Sequence, residues 1–318
     1  MSLWKPLFKS QPAWHSAHFE CVLGTSMELG LLAESPKFGQ RAEWAVLNEI
    51  ERLEKIFNAY RPDSELQRWQ QTLNQAVPAS ADLAEVLHTA ELWRVETRGA
   101  FQPAVEAFTR LWKQAEGAGS TPAANDLDAV IHMLRGPLWT VDMNARVACR
   151  HIDLPVTLNA IAKGYILDRA CEVGAGQRGI RAAMVNIGGD IRHMGDSPIM
   201  TAVADPFSPQ ENARPLATLL IKNQGLATSG GYRRGFQVGE QWRSHLIDPR
   251  TGQPVRHTVS VTAVAENAML ADILTTAFSI MEPCESMMLC DGLPETAVLI
   301  VAKDGSQTAT GQWHRLAS

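Results

Sequence analysis

A carboxylate and a hydroxyl one helical turn apart form the first candidate site. Asp272 and Thr276 lie in the segment ADILTTA, on a stretch that we predict to be helical from residue 267 to 281. Residues at positions i and i+4 share one face of a helix, and their oxygens are hard ligands that suit Mg²⁺. The same spacing also fits a plain helix in which a Thr bonds back to the chain and the Asp is solvated. The pair is therefore a candidate cation site that needs support from other segments.

A histidine before a polar turn is the second candidate. His245 belongs to the block SHLIDPRTGQP, residues 244–254, in which an apolar Leu-Ile pair separates the His from an Asp and a Pro-Arg-Thr-Gly turn. An imidazole can act as a general base or donate a hydrogen bond to a phosphate. An isolated His is more often structural, but this context favours a functional role.

Three segments of small residues could hold a phosphorylated ligand: NAIAKG (159–164), NIGGD (186–190) and TSGGYRR (228–234). The first places Lys163 in the first turn of a predicted helix, where backbone N–H groups and an ammonium can face a phosphate. Paired glycines permit close approach of backbone to a ligand, and Arg suits bidentate phosphate contacts. Each segment also fits a plain structural role, as a helix–sheet contact, a turn and a solvated loop respectively.

The elements that must position these residues mix helices and strands without strict alternation. We therefore predict an α+β fold rather than a doubly wound dinucleotide-binding fold. We expect one unit over residues 1–318, with a poorly defined N-terminal segment at 1–20 and a flexible loop at 115–125. Predicted helices cover residues 40–57, 82–97, 105–112, 160–173 and 267–281, and predicted strands cover 21–32, 182–187, 200–204, 216–221, 259–265 and 296–302.

Composition and missing motifs exclude several classes of protein. Lys and Arg number 29 against 34 Asp and Glu, a net charge of −5 that speaks against a dedicated nucleic-acid binder. The usual signatures of P-loop NTPases, dinucleotide dehydrogenases, zincin proteases and α/β-hydrolases do not occur. No stretch approaches the roughly 20 apolar residues of a membrane span. Without a signal peptide or lipobox in the given sequence, we expect a cytoplasmic protein, or a periplasmic one if a leader precedes it.

The order of the blocks resembles the ApbE family of FAD:protein FMN transferases. The matching segments are NAIAKGYILD (159–168), VNIGGD (185–190), LATSGGY (226–232), SHLIDPRTGQP (244–254) and SVTAVAENAMLADILTTA (260–277). Weaker matches in the first half are LGT (23–25), YRPDSEL (60–66) and AFQPAV (100–105). The resemblance covers nearly the whole chain.

This resemblance implies a two-lobed α+β fold with mixed β-sheets flanked by helices and an FAD cleft between the lobes. It implies Mg²⁺-dependent transfer of FMN from FAD to a Thr or Ser hydroxyl of an acceptor flavoprotein, with release of AMP. By the same resemblance His245 and Asp272 are catalytic. The implied metal ligands are the Ala160 carbonyl, Asp272, Thr275 and Thr276, and the implied FAD-binding residues are Tyr60, Ala100, Phe101, Gln102, Thr157, Lys163 and Leu246.

Three positions depart from the family pattern: Gln102, Thr157 and Gly231 stand where relatives often carry an Asp. They motivate one alternative, an FAD-binding protein without turnover. A second alternative is an FAD pyrophosphatase that gives FMN and AMP. The chain lacks the acceptor motif Asp-x-x-Ser/Thr-Gly-Ala/Ser-Ser/Thr, so we expect the acceptor to be another protein that carries it.

Overall fold

The computed structural model describes residues 11–208, 213–230 and 235–317. The strands in these ranges are β1 (Ala13–Val22), β2 (Thr25–Ala33), β3 (Ala76–Pro78), β4 (Trp139–Asp142), β5 (Val147–Arg150), β6 (Ile180–Ile187), β7 (Asp190–Gly195), β8 (Ile199–Val203), β9 (Ala217–Ile221), β10 (Gly225–Gly230), β11 (Gly235–Val238), β12 (Gln241–Ser244), β13 (Ile247–Asp248), β14 (Gln253–Pro254), β15 (Thr258–Ala265), β16 (Ala297–Ala302) and β17 (Gln307–Ala309). The helices are α1 (Pro36–Phe57), α2 (Glu65–Gln70), α3 (Ala81–Glu96), α4 (Glu106–Ala118), α5 (Ala124–Met133), α6 (Ala162–Ala175), α7 (Ala268–Phe278), α8 (Pro283–Cys290) and α9 (Trp313–Leu316).

An eight-stranded sheet with the order β1-β2-β6-β7-β10-β15-β16-β17 forms the centre of the molecule. Every strand pair in the described ranges is antiparallel. The α+β prediction is confirmed, but the sheets are antiparallel rather than mixed. The physical reason is that tight hairpins join several neighbouring strands, and a two-residue turn can only reverse the chain. One such turn is Gly188-Gly189, where both residues have positive φ.

Alternating side chains give the central sheet two apolar faces. On β2, Met27, Leu29 and Leu31 are buried in the larger core with α1 and α6. On the opposite face, Ile191 and Leu226 pack in a smaller core with the β8–β9 hairpin and α9. Successive residues of a strand point to opposite faces, so one sheet can support both cores. Among the described helices, none is long and apolar enough to cross a lipid bilayer.

Several element boundaries differ from the sequence predictions. The predicted strand 21–32 is the end of β1 plus β2, separated by a turn at Leu23-Gly24. Strand β1 begins at Ala13, inside the segment 1–20 that we expected to be poorly defined, while residues 1–10 lie outside the described part. The expected loop 115–125 is shorter, because α4 continues to Ala118 and α5 begins at Ala124. These shifts affect the periphery and leave the site elements in place.

Asp168 on α6 holds the N-terminus of α7. Its Oδ1 and Oδ2 accept hydrogen bonds from the Ala268 N–H (2.8 Å) and the Met269 N–H (2.9 Å). Arg192 of β7 forms an ion pair with the same carboxylate, Nε to Oδ1 at 3.2 Å. Burial raises the pKa of Asp168 to about 6, although the two N–H groups and Arg192 favour its charged form. A carboxylate at a helix N-terminus satisfies free N–H groups and complements the helix dipole.

Gly164 allows α6 and α7 to approach closely at the same crossing. A Cβ added at this position would lie 2.6 Å from the Met269 Cα and would overlap the Ala268 carbonyl group. Only a residue without a side chain fits where two backbones come this close. The glycine therefore sets the distance between the helix that carries Lys163 and the helix that carries Asp272.

We predict that Gly164→Ala lowers the free energy of unfolding by about 1–3 kcal/mol, because the added methyl group forces α6 and α7 apart. Urea denaturation followed by circular dichroism measures this change. The matched control is Gly117→Ala on α4, where a Cβ meets nothing within 4 Å. This control should be neutral or stabilising by up to about 1 kcal/mol. Equal effects of the two substitutions would contradict the packing argument.

Candidate functional site

Three charged side chains from three elements meet beside the α6–α7 crossing. Lys163 comes from α6, Asp190 from the start of β7 and Asp272 from α7. The Lys163 Nζ lies 2.6 Å from the Asp190 Oδ2. The other oxygen of Asp190 accepts the Thr228 N–H at 3.2 Å. Asp190 and Asp272 are only 3% and 7% exposed, so the cluster is largely shielded from water.

The cluster holds more negative than positive charge in a buried place. Burial raises the pKa of Asp272 to about 7; the nearby charge of Asp190 adds to this, and Lys163 opposes it. Burial also raises the pKa of Asp190, against the effect of Lys163. Burial lowers the pKa of Lys163, but the charges of Asp190 and Asp272 outweigh it, so the net shift is upward. Two carboxylates that share one ammonium leave a site that an added cation would stabilise.

One oxygen of Asp272 is available for such a cation. Its Oδ2 is buried and has no hydrogen-bond partner among the described residues, while the Gly164 N–H supports the carboxylate. A buried carboxylate oxygen without a partner is costly, and metal coordination is one of the ways in which proteins remove that cost. The described residues contain no group of three or more His, Cys, Asp or Glu that could hold a metal. A cation here therefore needs hydroxyl and backbone oxygens as well, a donor set that fits Mg²⁺.

The two threonines beside Asp272 differ in their environment. Thr275 is 1% exposed, and its hydroxyl donates a hydrogen bond to the Asp272 carbonyl at 3.0 Å. Thr276 is partly exposed and sits one turn after Asp272. Ala160 lies in the turn that leads into α6, close in sequence to the supporting Gly164 N–H. Thr276 is thus better placed than Thr275 to offer a hydroxyl to a ligand. The alternative of a solvated Asp272 is wrong, because the residue is buried.

His245 follows directly after β12 and is partly exposed. The chain after it is fixed by Asp248, whose side chain accepts the Arg250 N–H at 2.9 Å and whose carbonyl accepts the Gly252 N–H at 2.7 Å. The Leu246 carbonyl accepts the Val255 N–H at 2.8 Å. The polar turn of the SHLIDPRTGQP block therefore anchors His245 on a rigid support. His245 and Leu246 lie on a different element from the Asp272 cluster.

Two segments that we expected to line an FAD site meet in the structure. The Pro103 carbonyl accepts the Thr157 N–H at 2.8 Å, which places Thr157 beside residues 100–102. The Gln102 side chain accepts the Ala104 N–H at 3.2 Å. Ala100 and Phe101 are each 2% exposed, so both residues belong to the core.

Tyr60 stands apart from these segments. Its side chain is 87% exposed, in the turn after α1. The ring therefore does not pack against the end of α1. An exposed aromatic ring is free to stack on a planar ligand. Gly231, the third departure from the family pattern, lies outside the described residues.

Sequence reasoning missed the roles of two carboxylates and the partner of one cation. Asp190 ends the NIGGD segment, which drew attention for its glycines; those glycines form an ordinary hairpin turn with the Gly189 N–H bonded to Asn186. Asp168 lies in a matched block but had no assigned role. Lys163, expected to face a phosphate beside free N–H groups, also forms an ion pair with Asp190. The available signal for Asp190 was a charged residue directly after the paired glycines, whereas Asp168 lies one helical turn after Gly164 on α6.

Comparison with known proteins places this chain in a family. A model described as the ApbE family matches residues 23–300. The FAD:protein FMN transferase of Haemophilus influenzae is 31% identical over 276 residues, covering 80% of this chain and 78% of that protein. The enzyme of the same name from Escherichia coli K12 is 27% identical over 320 residues, covering 95% of this chain and 90% of that protein.

A solved structure shares the fold. The ApbE protein of Thermotoga maritima superposes with a TM-score of 0.81 at 23% identity, covering 96% of this chain and 100% of that one. This likeness agrees with the α+β fold expected from the sequence. With the match over residues 23–300, it leads to one conclusion: the chain belongs to the ApbE family.

Proposed function

We propose that this protein transfers FMN from FAD to a Thr or Ser hydroxyl of an acceptor flavoprotein and releases AMP. The observation that carries the proposal is the unpartnered, buried Oδ2 of Asp272 at the α6–α7 crossing. The curated relatives named FAD:protein FMN transferase support the reaction and its substrate. Attack on a diphosphate depends on positioning and charge neutralisation more than on covalent help, and a buried anionic cluster that attracts a cation suits that need.

Mg²⁺ is the cation that fits this cluster. Asp272 and Thr276, on one face of α7, would hold it together with the Ala160 carbonyl, and Thr275 remains a further candidate ligand. When bound, the ion neutralises the charge that builds up on the diphosphate oxygens. Lys163 would lie near the cofactor, and its ion pair with Asp190 holds its ammonium at a defined place.

The transfer itself needs a proton acceptor for the attacking hydroxyl. The acceptor oxygen forms a bond to the FMN phosphorus, the bond from that phosphorus to the AMP oxygen breaks, and AMP leaves. We propose that His245 accepts the hydroxyl proton. Its partly exposed ring sits on the turn built around Asp248.

FAD binding would involve the remaining predicted residues. Thr157 is hydrogen-bonded to Pro103, directly after the buried residues 100–102, Leu246 follows His245, and the exposed Tyr60 ring can stack on the flavin or adenine. An acceptor carrying the motif Asp-x-x-Ser/Thr-Gly-Ala/Ser-Ser/Thr is the proposed partner.

The first test supplies FAD, Mg²⁺ and a peptide with the sequence Asp-Gly-Ala-Thr-Gly-Ala-Thr. We predict AMP release together with a peptide mass gain equal to FMN, followed by chromatography and mass spectrometry. Asp272→Asn should lower transfer by at least about 100-fold, because it removes the charge that holds the metal. Its Mg²⁺ affinity, measured by calorimetry, should fall in parallel.

Other outcomes of this test would indicate a different function. Free FMN and AMP without peptide labelling would establish an FAD pyrophosphatase. Retained FAD without either product would establish a binding protein. Full transfer by Asp272→Asn would contradict the assignment of Asp272 as a metal ligand. The matched carboxylate control is Asp304→Asn on the exposed β16–β17 turn, which should leave transfer unchanged.

The two threonines give a paired prediction. Thr276→Val should weaken Mg²⁺ binding about 10- to 100-fold, because it removes a hydroxyl on the face of Asp272. Thr275→Val should leave Mg²⁺ affinity nearly unchanged and instead cost about 1 kcal/mol of stability, since its hydroxyl bonds the Asp272 carbonyl. Calorimetric Mg²⁺ titration and urea unfolding separate the two effects. A larger loss of affinity in Thr275→Val would reverse the assignment.

Removal of the proposed base gives a further prediction. His245→Ala should lower the rate of transfer by about 10²–10⁴ while FAD binding persists, because only proton removal is lost. Single-turnover AMP release measures the rate, and fluorescence quenching measures FAD binding. A wild-type rate would make His245 a structural residue.

A further inference from the structure

A cationic cavity of about 460 Å³ lies beside the segment that ends at His245. Its walls come from β12, from the chain that enters β15 and from the end of β16. The residues that decide its chemistry are Trp242, Arg243, Ser244, Arg256, Thr258 and Lys303. We name this feature the basic pocket. None of the catalytic, metal or FAD residues assigned above lines it.

Three basic side chains line the basic pocket: Arg243, Arg256 and Lys303. Arg256 and Lys303 are exposed, and no ion pair to either occurs in the described ranges. Arg243 donates from Nη2 to the Gln241 side chain at 2.5 Å, and its buried Nε meets no acceptor in the part of the chain that the structure describes. The described lining residues include no Asp or Glu. On a chain with a net charge of −5, this is a concentrated positive site.

Two further groups give the basic pocket the character of a binding surface. Thr258 is 8% exposed, and its buried hydroxyl has no partner within the described residues. Trp242 is 51% exposed, an unusual state for the largest apolar side chain. Exposed Trp and Arg are enriched where proteins bind other proteins. The combination suits a peptide that brings a carboxylate together with some apolar surface.

The basic pocket lies away from the Asp272 cluster, where the diphosphate would bind. Thr258 precedes Thr262 by four residues on β15, and Thr262 pairs with Thr228, whose N–H binds Asp190. Four residues of strand span about 13 Å. Ser244, another lining residue of the pocket, is next to His245 in the sequence. The pocket therefore flanks the proposed base and lies away from the Asp272 cluster.

A substrate peptide can reach both the basic pocket and the proposed base. An extended segment spans roughly 3.3–3.6 Å per residue, so an acidic side chain a few residues from the attacking hydroxyl can lie in the pocket while the hydroxyl lies near His245. We infer that the basic pocket docks an acidic segment of the acceptor protein while its hydroxyl is presented at His245. This inference rests on the proposed transfer reaction and names the part of the chain that selects its acceptor. Charge pairs of this kind act mainly on encounter and specificity.

The test reverses two charges of the pocket. In Arg256→Glu/Lys303→Glu, we expect the KM for the peptide Asp-Gly-Ala-Thr-Gly-Ala-Thr to rise at least about tenfold, because like charges now face each other. The kcat and the KM for FAD should stay within about twofold. Replacing the peptide Asp by Lys should weaken its use by the wild type and restore its use by the reversed variant.

The matched control makes the same charge change elsewhere. Lys37→Glu/Arg41→Glu alters two exposed residues of α1 and should leave both KM values unchanged. A higher KM for FAD with an unchanged peptide KM would overturn the inference and make the pocket part of the nucleotide site. Equal peptide KM values in the two double variants would also overturn it.

A binding measurement distinguishes a failure of the proposed reaction from a failure of the proposed docking site. Fluorescence anisotropy of a labelled peptide, without FAD or Mg²⁺, reports docking to wild type and both variants. If the wild type labels no peptide, the proposed function fails, and anisotropy still decides the pocket. Selective loss of binding in Arg256→Glu/Lys303→Glu supports the inference; equal binding by all three proteins refutes it.

Discussion

The burial of the Asp272 carboxylate at the crossing of α6 and α7 is the constraint on which the site depends. A carboxylate that is 7% exposed can remain there only with polar support. The Gly164 N–H supplies part of it, and the missing side chain of Gly164 is what lets that N–H come close. Asp168 then fixes the start of α7 through the Ala268 and Met269 N–H groups. One glycine and one capping carboxylate thus hold the group that we assign to the metal.

The central antiparallel sheet gives this crossing its rigidity. Its two apolar faces are both covered, so β7 and β10 cannot shift without disturbing two cores. Asp190 extends from the first residue of β7 and receives the Thr228 N–H of β10. The sheet consequently holds Asp190, and with it the ion pair to Lys163, in a fixed position. The charge balance of the cluster is set by the sheet as much as by the helices.

Charge is distributed over the molecule in a way that separates two tasks. The Asp272 cluster is buried and carries excess negative charge, which suits a cation and, through it, a diphosphate. The basic pocket is open and positive, which suits an acidic protein segment. Along β15, Thr258 of the pocket and Thr262, which pairs with Thr228 beside Asp190, are about 13 Å apart, and Ser244 of the pocket adjoins His245. Such separation lets acceptor choice vary without altering the chemistry.

The sequence alone determined the features that depend on neighbouring residues. The helix with Asp272 and Thr276 on one face follows from local spacing and was confirmed. Block order alone also indicated the family. Only the tertiary structure decided that Lys163 pairs with Asp190, that Asp168 caps a helix 100 residues later, that the sheets are antiparallel and that Tyr60 is exposed. These outcomes depend on contacts between segments far apart in the chain, whose partners are set by burial and packing of the whole molecule and leave no local pattern.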